Sequence, residues 1–378
     1  MKTQYQVILS LGSNQGNRLK NIENGMQLIH QKIGTIIKVS KLYETASWGF
    51  ESDAFYNCVI LIHTFKEANE ILSQVLAIEK QLGRVRLESQ VYQSRSIDID
   101  LITFDVCIID TENLKIPHPL MQNRNFVLLP MLDLGIDWSH PILNKNIAEL
   151  ATISEDMSSC NVIQQLDCPI DKTPLKQYKY IAIEGNIGVG KTTLTNKIAQ
   201  DFDAKIVLER FADNVFLPKF YQEQKRYAFP LEVSFLVDRQ KQLQFDFEDI
   251  DFVNDFIVAD YDFYKSLIFA RITLESEEFK LYESIFDMIY KEITKPDLYI
   301  YLYQNSERLL ANIKKRGRAY EQNIKSDYLE KINFGYMEHI KSKLENNVIF
   351  IDVSDRDFVK NQEDYLYILD EIKKGIEN

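Results

Sequence analysis

The sequence predicts two domains in tandem: an α+β domain built on a helix-covered sheet, then an α/β domain with a parallel sheet. Three observations carry that expectation. At 378 residues the chain exceeds one typical domain. Its first hundred residues alternate period-two and helical apolar patterns in the order β-α-β-β-α-β. Further on, the apolar run Tyr180-Ile181-Ala182-Ile183-Glu184 passes through a glycine-rich loop into a helical pattern from Leu194 to Phe202.

In the first domain, Val7 to Leu11 reads as a strand ending at the turn Gly12-Ser13-Asn14. Leu19, Ile22, Met26, Ile29 and Ile33 recur at three and four residues, which predicts an amphipathic helix. Thr35 to Tyr43 and Phe55 to Thr64 alternate as strands. Glu67 to Leu82 carries Ile71, Leu72, Val75, Ile78 and Leu82 on one helical face, and Ser96 to Phe104 returns to strand. This order is the ferredoxin-like arrangement, with helices on one side of the sheet. The domain is expected to span residues 1–160. Residues 161–177, with Pro169, Pro174 and little periodicity, read as a linker, although Val162-Ile163 could still be a strand of the first domain.

The second domain, 178–378, opens on Gly185-Asn186-Ile187-Gly188-Val189-Gly190-Lys191-Thr192-Thr193, which keeps the Gly-x-x-x-x-Gly-Lys-Thr spacing between strand and helix. Glycines at 185, 188 and 190 let backbone N–H groups wrap a polyphosphate. Lys191 can reach the outer phosphates and the Thr192 hydroxyl can sit on Mg²⁺. Lys205 to Leu208, Asp255 to Ala259, Asp297 to Leu302 and Val348 to Val353 read as further strands between helices, a parallel P-loop sheet.

Composition bounds the partners. A net charge of -12 argues against a general nucleic-acid binder and against anionic membrane. Cys58, Cys107, Cys160 and Cys168 show no C-x-x-C spacing, so free thiols are expected. No apolar run reads as a signal peptide or membrane span, and a cytoplasmic location is the expectation.

Within Arg95-Ser96-Ile97-Asp98-Ile99-Asp100, strand alternation aims Asp98 and Asp100 to one side while Ile97, Ile99 and Leu101 turn to the core. Two adjacent carboxylates repel unless a cation sits between them, which suits Mg²⁺ and its phosphate ligands. Arg84, Arg86 and Arg95 supply guanidinium groups for phosphate oxygens. The plain alternative is a solvated strand edge.

The order Gly12-Ser13-Asn14, Phe55-Tyr56-Asn57, Ile78-Glu79, Gly83-Arg84-Val85-Arg86, Arg95 to Asp100, Pro117-His118 and Arg124 resembles 6-hydroxymethyl-7,8-dihydropterin pyrophosphokinase of the folate pathway. The resemblance implies pyrophosphoryl transfer from ATP to the pterin hydroxymethyl group. Asp98 and Asp100 would hold Mg²⁺, Arg84, Arg95, His118 and Arg124 would hold phosphate oxygens, and Glu79 would lie in the nucleotide region. Asn57 would hydrogen-bond the pterin and Phe126 would stack on it. Tyr92-Gln93-Ser94-Arg95 and Thr45-Ala46-Ser47 depart from that family's loops.

In the second half, the Gly185 loop, Glu209 after the next strand, Tyr221, Arg226 to Leu231, Arg239 and Lys314 to Gln322 resemble the deoxynucleoside kinases. The resemblance implies that Glu209 takes the proton from a nucleoside 5′-hydroxyl and that Arg316 and Arg318 clamp phosphates. Tyr221 and Glu321 would bind the 3′-hydroxyl, with Arg239 between base and catalytic carboxylate. Asp260 would be a Mg²⁺-linked carboxylate. Phe229 is a residue that could stack on the base. Two departures touch specificity. Glu232 stands where that family often has Gln, and could read a base edge with two donors or pair with Lys265. Tyr261 stands where it has an arginine. The expected enzyme is bifunctional, using Mg·ATP, with a homodimer implied by resemblance alone. Rival readings make the second half a thymidylate-type monophosphate kinase, with Arg210 near an acceptor phosphate, or a silent nucleotide sensor.

Overall fold

The computed structural model describes residues 4–47, 52–84, 94–210, 214–248, 256–343 and 347–377. Val85, Arg86, Tyr92, Gln93 and Asp255 lie outside them. The chain divides into two compact units, Met1–Lys172 and Thr173–Asn378.

The first unit runs β1 (Tyr5–Ser13), α1 (Arg18–Lys32), β2 (Thr35–Val39), β3 (Lys41–Thr45), β4 (Phe55–Thr64), α2 (Ala68–Gln81) and β5 (Asp98–Phe104). A two-strand hairpin follows, β6 (Ile109–Asp110) with β7 (Lys115–Ile116), then α3 (Asn125–Asp133), α4 (Ile147–Ile153) and β8 (Cys160–Gln165). The sheet order is β5-β1-β4-β3-β8, with β2 also on β4, and the described pairings are antiparallel. The expected Thr35–Tyr43 strand is two strands broken at Ser40. The Ser40 hydroxyl accepts the Val59 N–H at 2.9 Å, and its own N–H donates to the Val59 carbonyl.

Helices were expected on one side only, and the structure covers both. Val7, Leu9 and Leu11 of β1 join Cys58, Ile60 and Ile62 of β4 beneath α1 and α2. Ile8, Val59 and Leu61 on the opposite face meet Val127, Leu128 and Met131 of α3 and Leu150 of α4. A strand packed on both faces loses its polar alternation, which is why β1 reads as a continuous apolar run.

Segment 161–177 is largely built into the first unit instead of forming a free linker. β8 pairs with β3 from Lys41↔Gln165 to Thr45↔Cys160, and Leu166 and Ile170 are buried. The weak sequence signal has a physical reason: β8 is an edge strand whose side chains are mostly exposed, so it shows no apolar pattern.

The second unit begins with β9 (Tyr180–Gly185), α5 (Lys191–Phe202), β10 (Lys205–Val207), α6 (Leu217–Gln222), α7 (Gln224–Glu248), β11 (Ile257–Ala259) and α8 (Lys265–Thr273). It continues with α9 (Ser276–Tyr290), β12 (Leu298–Tyr303), α10 (Ser306–Arg316), α11 (Ser326–Lys343), β13 (Val348–Asp352) and α12 (Gln362–Glu377). The sheet is parallel in the order β10-β11-β9-β12-β13, so the glycine loop leaves the carboxyl end of its central strand. Parallel-sheet enzymes bind their ligands at that end. Gly190 caps α5 with φ +103°, and a Cβ there would strike the Phe358 ring at 2.7 Å, so only glycine fits. Among the described residues no helix is long and apolar enough to cross a membrane.

Candidate active sites

The first site is a cleft of about 880 Å³ at the start of β5. Ile97, Ile99 and Leu101 are buried, leaving Asp98 and Asp100 on the cleft side as alternation requires. Asp98 is already engaged: Arg84 Nη1 donates to its Oδ1, and Arg95 Nη1 donates to its Oδ2 at 2.5 Å. Arg84 also donates to Glu79, whose Oε1 accepts the Ile99 N–H at 2.9 Å. Glu79 is therefore a buried tie between α2 and β5 that aims Arg84. Asp100 lies 3.6 Å from Arg124, and burial together with the Asp98 charge pushes its carboxyl up to about 7. Carboxylates that resist ionising together form an all-oxygen donor pair, and such a set fits a hard divalent cation.

The rest of the cleft assembles as expected. Burial and Arg124 push His118 down to about 4, so its ring is neutral. Its Nδ1 accepts the Leu120 N–H at 3.2 Å, which leaves Nε2–H as donor. Asn57 Nδ2 donates to the Thr45 hydroxyl at 2.7 Å, and Phe126 lies 5.5 Å from the Arg124 guanidinium. Sequence reasoning missed the work of Asn14. Its Oδ1 accepts the Arg95 N–H at 2.7 Å, and its Nδ2 donates to Ser52 and Ser94, so it pins the segment that carries Arg95. The signal was its place directly after the first strand.

The second site surrounds the glycine loop. Lys191 Nζ donates to the carbonyls of Gly185 and Asn186 at 2.8 and 3.0 Å. Burial and the neighbouring Lys265 charge push its ammonium down to about 8. The Thr192 hydroxyl donates to Asp260 Oδ2, and Asp260 Oδ1 accepts the Glu209 N–H at 2.7 Å. Hydroxyl and carboxylate oxygens together at the start of α5 also suit a hard cation. Thr193 occupies the first turn of α5, its N–H donating to Gly190 O. Gly188 takes φ +85° in the loop. The Asn186 side chain does not face the loop's open side: it is buried and donates to Leu329 O and Asn333 Oδ1, fixing the loop to α11.

Glu209 sits between two cations. Arg239 donates to its Oε1 from Nε at 3.0 Å and from Nη2 at 2.6 Å, while Lys265 Nζ donates to Oε2 at 2.6 Å. Burial alone would raise this carboxyl, but Lys265 and Arg239 outweigh it and hold it well below the usual carboxylate range. Glu232 is buried on the Arg239 helix, accepts from the Thr273 hydroxyl at 2.9 Å, and is pushed up to about 7 by burial. Lys265, considered as its partner, serves Glu209 instead. Arg316 and Arg318 converge on Glu321, and Tyr221 stacks near Tyr320 with ring centroids 6.1 Å apart. Phe229 packs against the apolar core cluster. Arg210 pairs with Asp246 at 2.8 Å with its side chain 64% exposed, so it brings no acceptor-phosphate cation inward.

A glycine loop with an inward lysine, facing a charge-held carboxylate, defines a phosphotransferase site, and the first cleft adds a second of different build. Comparison with known proteins agrees in chain order. The family model for 7,8-dihydro-6-hydroxymethylpterin-pyrophosphokinase (HPPK) matches residues 8–135, and that for deoxynucleoside kinase matches residues 181–377. The chain is 36% identical over 201 residues to the deoxyguanosine kinase of Bacillus subtilis (strain 168), covering 52% of this chain and 97% of that one. It is 37% identical over 138 residues to a 2-amino-4-hydroxy-6-hydroxymethyldihydropteridine pyrophosphokinase of Porphyromonas gingivalis, covering 36% of this chain and 93% of that one. It is also similar to a solved structure of deoxyadenosine kinase from M. mycoides with bound dATP, at 23% identity and a TM-score of 0.45, covering 53% of this chain and 100% of that one. The chain belongs to both families, joining a pterin pyrophosphokinase domain to a deoxynucleoside kinase domain in one bifunctional protein.

Proposed function

We propose that the first unit moves the terminal pyrophosphoryl group of ATP onto the hydroxymethyl oxygen of 6-hydroxymethyl-7,8-dihydropterin, releasing AMP. The second moves the γ-phosphoryl group of ATP onto a deoxynucleoside 5′-hydroxyl, releasing ADP. The observation that supports the first most is Asp98 and Asp100 side by side among Arg84, Arg95 and Arg124. For the second it is the Glu209 carboxylate beside a glycine loop whose lysine is turned inward.

In the first cleft Asn57 and Phe126 orient the pterin, and His118 donates from Nε2–H to a phosphate oxygen. Arg84 and Arg95 turn from Asp98 to the transferred group. Asp98 and Asp100 in one site, and Thr192 and Asp260 in the other, would hold the Mg²⁺ that enters with ATP, which would supply charge neutralisation to the phosphates. In the second site Glu209 stays ionised across physiological pH, so it orients the 5′-hydroxyl and receives its proton late in a loose transition state. Arg316 and Arg318 leave Glu321 for phosphate, and Glu321 with Tyr221 takes the 3′-hydroxyl.

The preferred base in this reading is guanine. Its N1–H and N2–H₂ edge offers two donors to an ionised Glu232, and the Bacillus subtilis relative carries the deoxyguanosine name. The protein works in the cytoplasm as a homodimer. Val237 and Phe245 on α7 with Leu281 and Met288 on α9 are exposed apolar residues that a partner would cover. Product mass after incubation with ATP and each acceptor tests the reading. Diphosphorylated pterin and dGMP are expected, and absence of either sinks that half.

A further inference from the structure

Glu209 has more positive charge around it than one carboxylate needs. Arg239 alone holds it in a planar two-bond grip, and Arg239 is fixed in turn by donating to the Ser266 hydroxyl at 2.5 Å. Lys265 adds a single bond from a flexible stem to the other oxygen. It is 8% exposed, so a second cation has been brought into the interior where one would do.

Its position says what the extra charge faces. Lys265 is the first residue of α8, five residues past Asp260. It lines a small cavity together with Glu184, the residue immediately before the glycine loop. Lys191 Nζ is held over the carbonyls of Gly185 and Asn186, the next two residues. Carboxylates already stand here, Glu209 on Lys265 and the buried Glu184 and Asp262 beside it, so Lys265 is a desolvated cation held by one bond to an acid and free to exchange that bond for one to a phosphate oxygen. Nothing cationic comes from Tyr261: its side chain is fully buried in the core cluster.

We propose that Lys265 is a phosphoryl-binding cation of the kinase site, held on Glu209 in this structure and transferred to the γ-phosphoryl group as the reaction proceeds. The proposal rests on the deoxynucleoside kinase reading. The acceptor 5′-oxygen bonds to the γ-phosphorus while the bond from that phosphorus to the β–γ bridging oxygen breaks. ADP keeps the electron pair. The hydroxyl proton goes to Glu209 Oε2, the oxygen that Lys265 has vacated, and from there to solvent. Lys265 Nζ meanwhile donates to a non-bridging γ-oxygen, so one movement frees the proton acceptor and supplies charge to the transferring group.

The test compares wild type, Lys265→Met, Lys265→Gln and Lys265→Arg as full-length chains, with dGMP formation and thermal melting measured on each. Lys265→Gln keeps a hydrogen bond to Glu209 without the charge, so it stands in if Lys265→Met does not fold. The expected result is a fall in kcat of about 100-fold in the neutral variants, the scale of one lost transition-state donor. KM for deoxyguanosine should stay within about threefold, because the contact is to the transferring phosphoryl group and not to the nucleoside. Lys265→Arg should recover at least about tenfold of the loss. A neutral variant that folds and keeps kcat within about threefold, a loss confined to KM, or no recovery with arginine overturns the proposal. A wild type that phosphorylates no deoxynucleoside overturns the kinase reading itself, and the proposal with it.

Discussion

Each unit holds one carboxylate between two cations, but the clamps are anchored differently. In the pterin unit, Asp98 is gripped by Arg84, just after α2, and Arg95, just before β5, both outside regular elements. Those three side chains are 22%, 17% and 14% exposed. In the kinase unit, Glu209 is gripped by Arg239 and Lys265, rooted in α7 and α8, and the side chains are 11%, 5% and 9% exposed. Loop-borne arginines can release a carboxylate and follow a phosphate. Arg239, borne on a helix and fixed by Ser266, holds its carboxylate in place, which leaves the single-bonded Lys265 as the mobile partner. In the proposed reading, the same charge pattern releases both cations in one site and only one in the other.

The largest effect that would sharpen this contrast is chemical. Asp100→Asn should lower diphosphorylated-pterin formation by at least about 100-fold while dGMP formation by the same chain stays within about twofold, read by product mass. Next come the clamps themselves. Arg239→Met leaves Glu209 with Lys265 as its remaining cation, and should cost about 3 kcal/mol, two charge-assisted hydrogen bonds' worth, in denaturant unfolding of the second unit. Arg95→Met, in the more open cleft, should cost about 1 kcal/mol or less in the first. Equal losses would break the distinction between a helix-borne and a loop-borne clamp.

A smaller effect concerns the base. Glu232 faces Thr273, Arg239, Lys265 and Glu209, and burial places its titration near 7. Below that pH it is neutral and both donates and accepts. Above it, it is ionised and accepts only. The deoxyguanosine-to-deoxyadenosine ratio of kcat/KM should therefore rise about tenfold from pH 6 to pH 8, one charge-assisted hydrogen bond's worth. Glu232→Gln should flatten that slope and favour deoxyadenosine, and a slope surviving the change would remove Glu232 from base recognition. The smallest effect is Phe126→Ala, expected to raise the pterin KM by about threefold through lost stacking, with kcat within about twofold.

Much of this was legible because the signals were local. The glycine loop is a spacing, and the Asp98/Asp100 pair follows from alternation within one strand. The order of sheet elements in the first unit followed from apolar periodicity. What escaped depends on contacts distant in sequence. Lys265 meets Glu209 across 56 residues, and no pattern in either segment points to the other. Arg316 and Arg318 read as phosphate ligands, and their shared partner Glu321 is near in sequence, where a charge run does not say which acid it meets. Asn186 belongs to the loop by sequence but serves α11 by its side chain. The strand β8 was legible only as the alternative at Val162-Ile163 within an expected linker, since an exposed edge strand needs no apolar face to pair. The second layer of the first unit escaped because α3 and α4 cover a face that the ferredoxin-like pattern leaves bare.

The central claim, two phosphotransferases of unlike build in one chain, is tested most directly by a crossed pair of variants. Asp98→Asn and Glu209→Gln are each incubated as full-length protein with ATP, the pterin alcohol and deoxyguanosine together, and every product is weighed by mass spectrometry. The account predicts dGMP without diphosphorylated pterin from the first variant, and diphosphorylated pterin without dGMP from the second. Either variant retaining both products would contradict it.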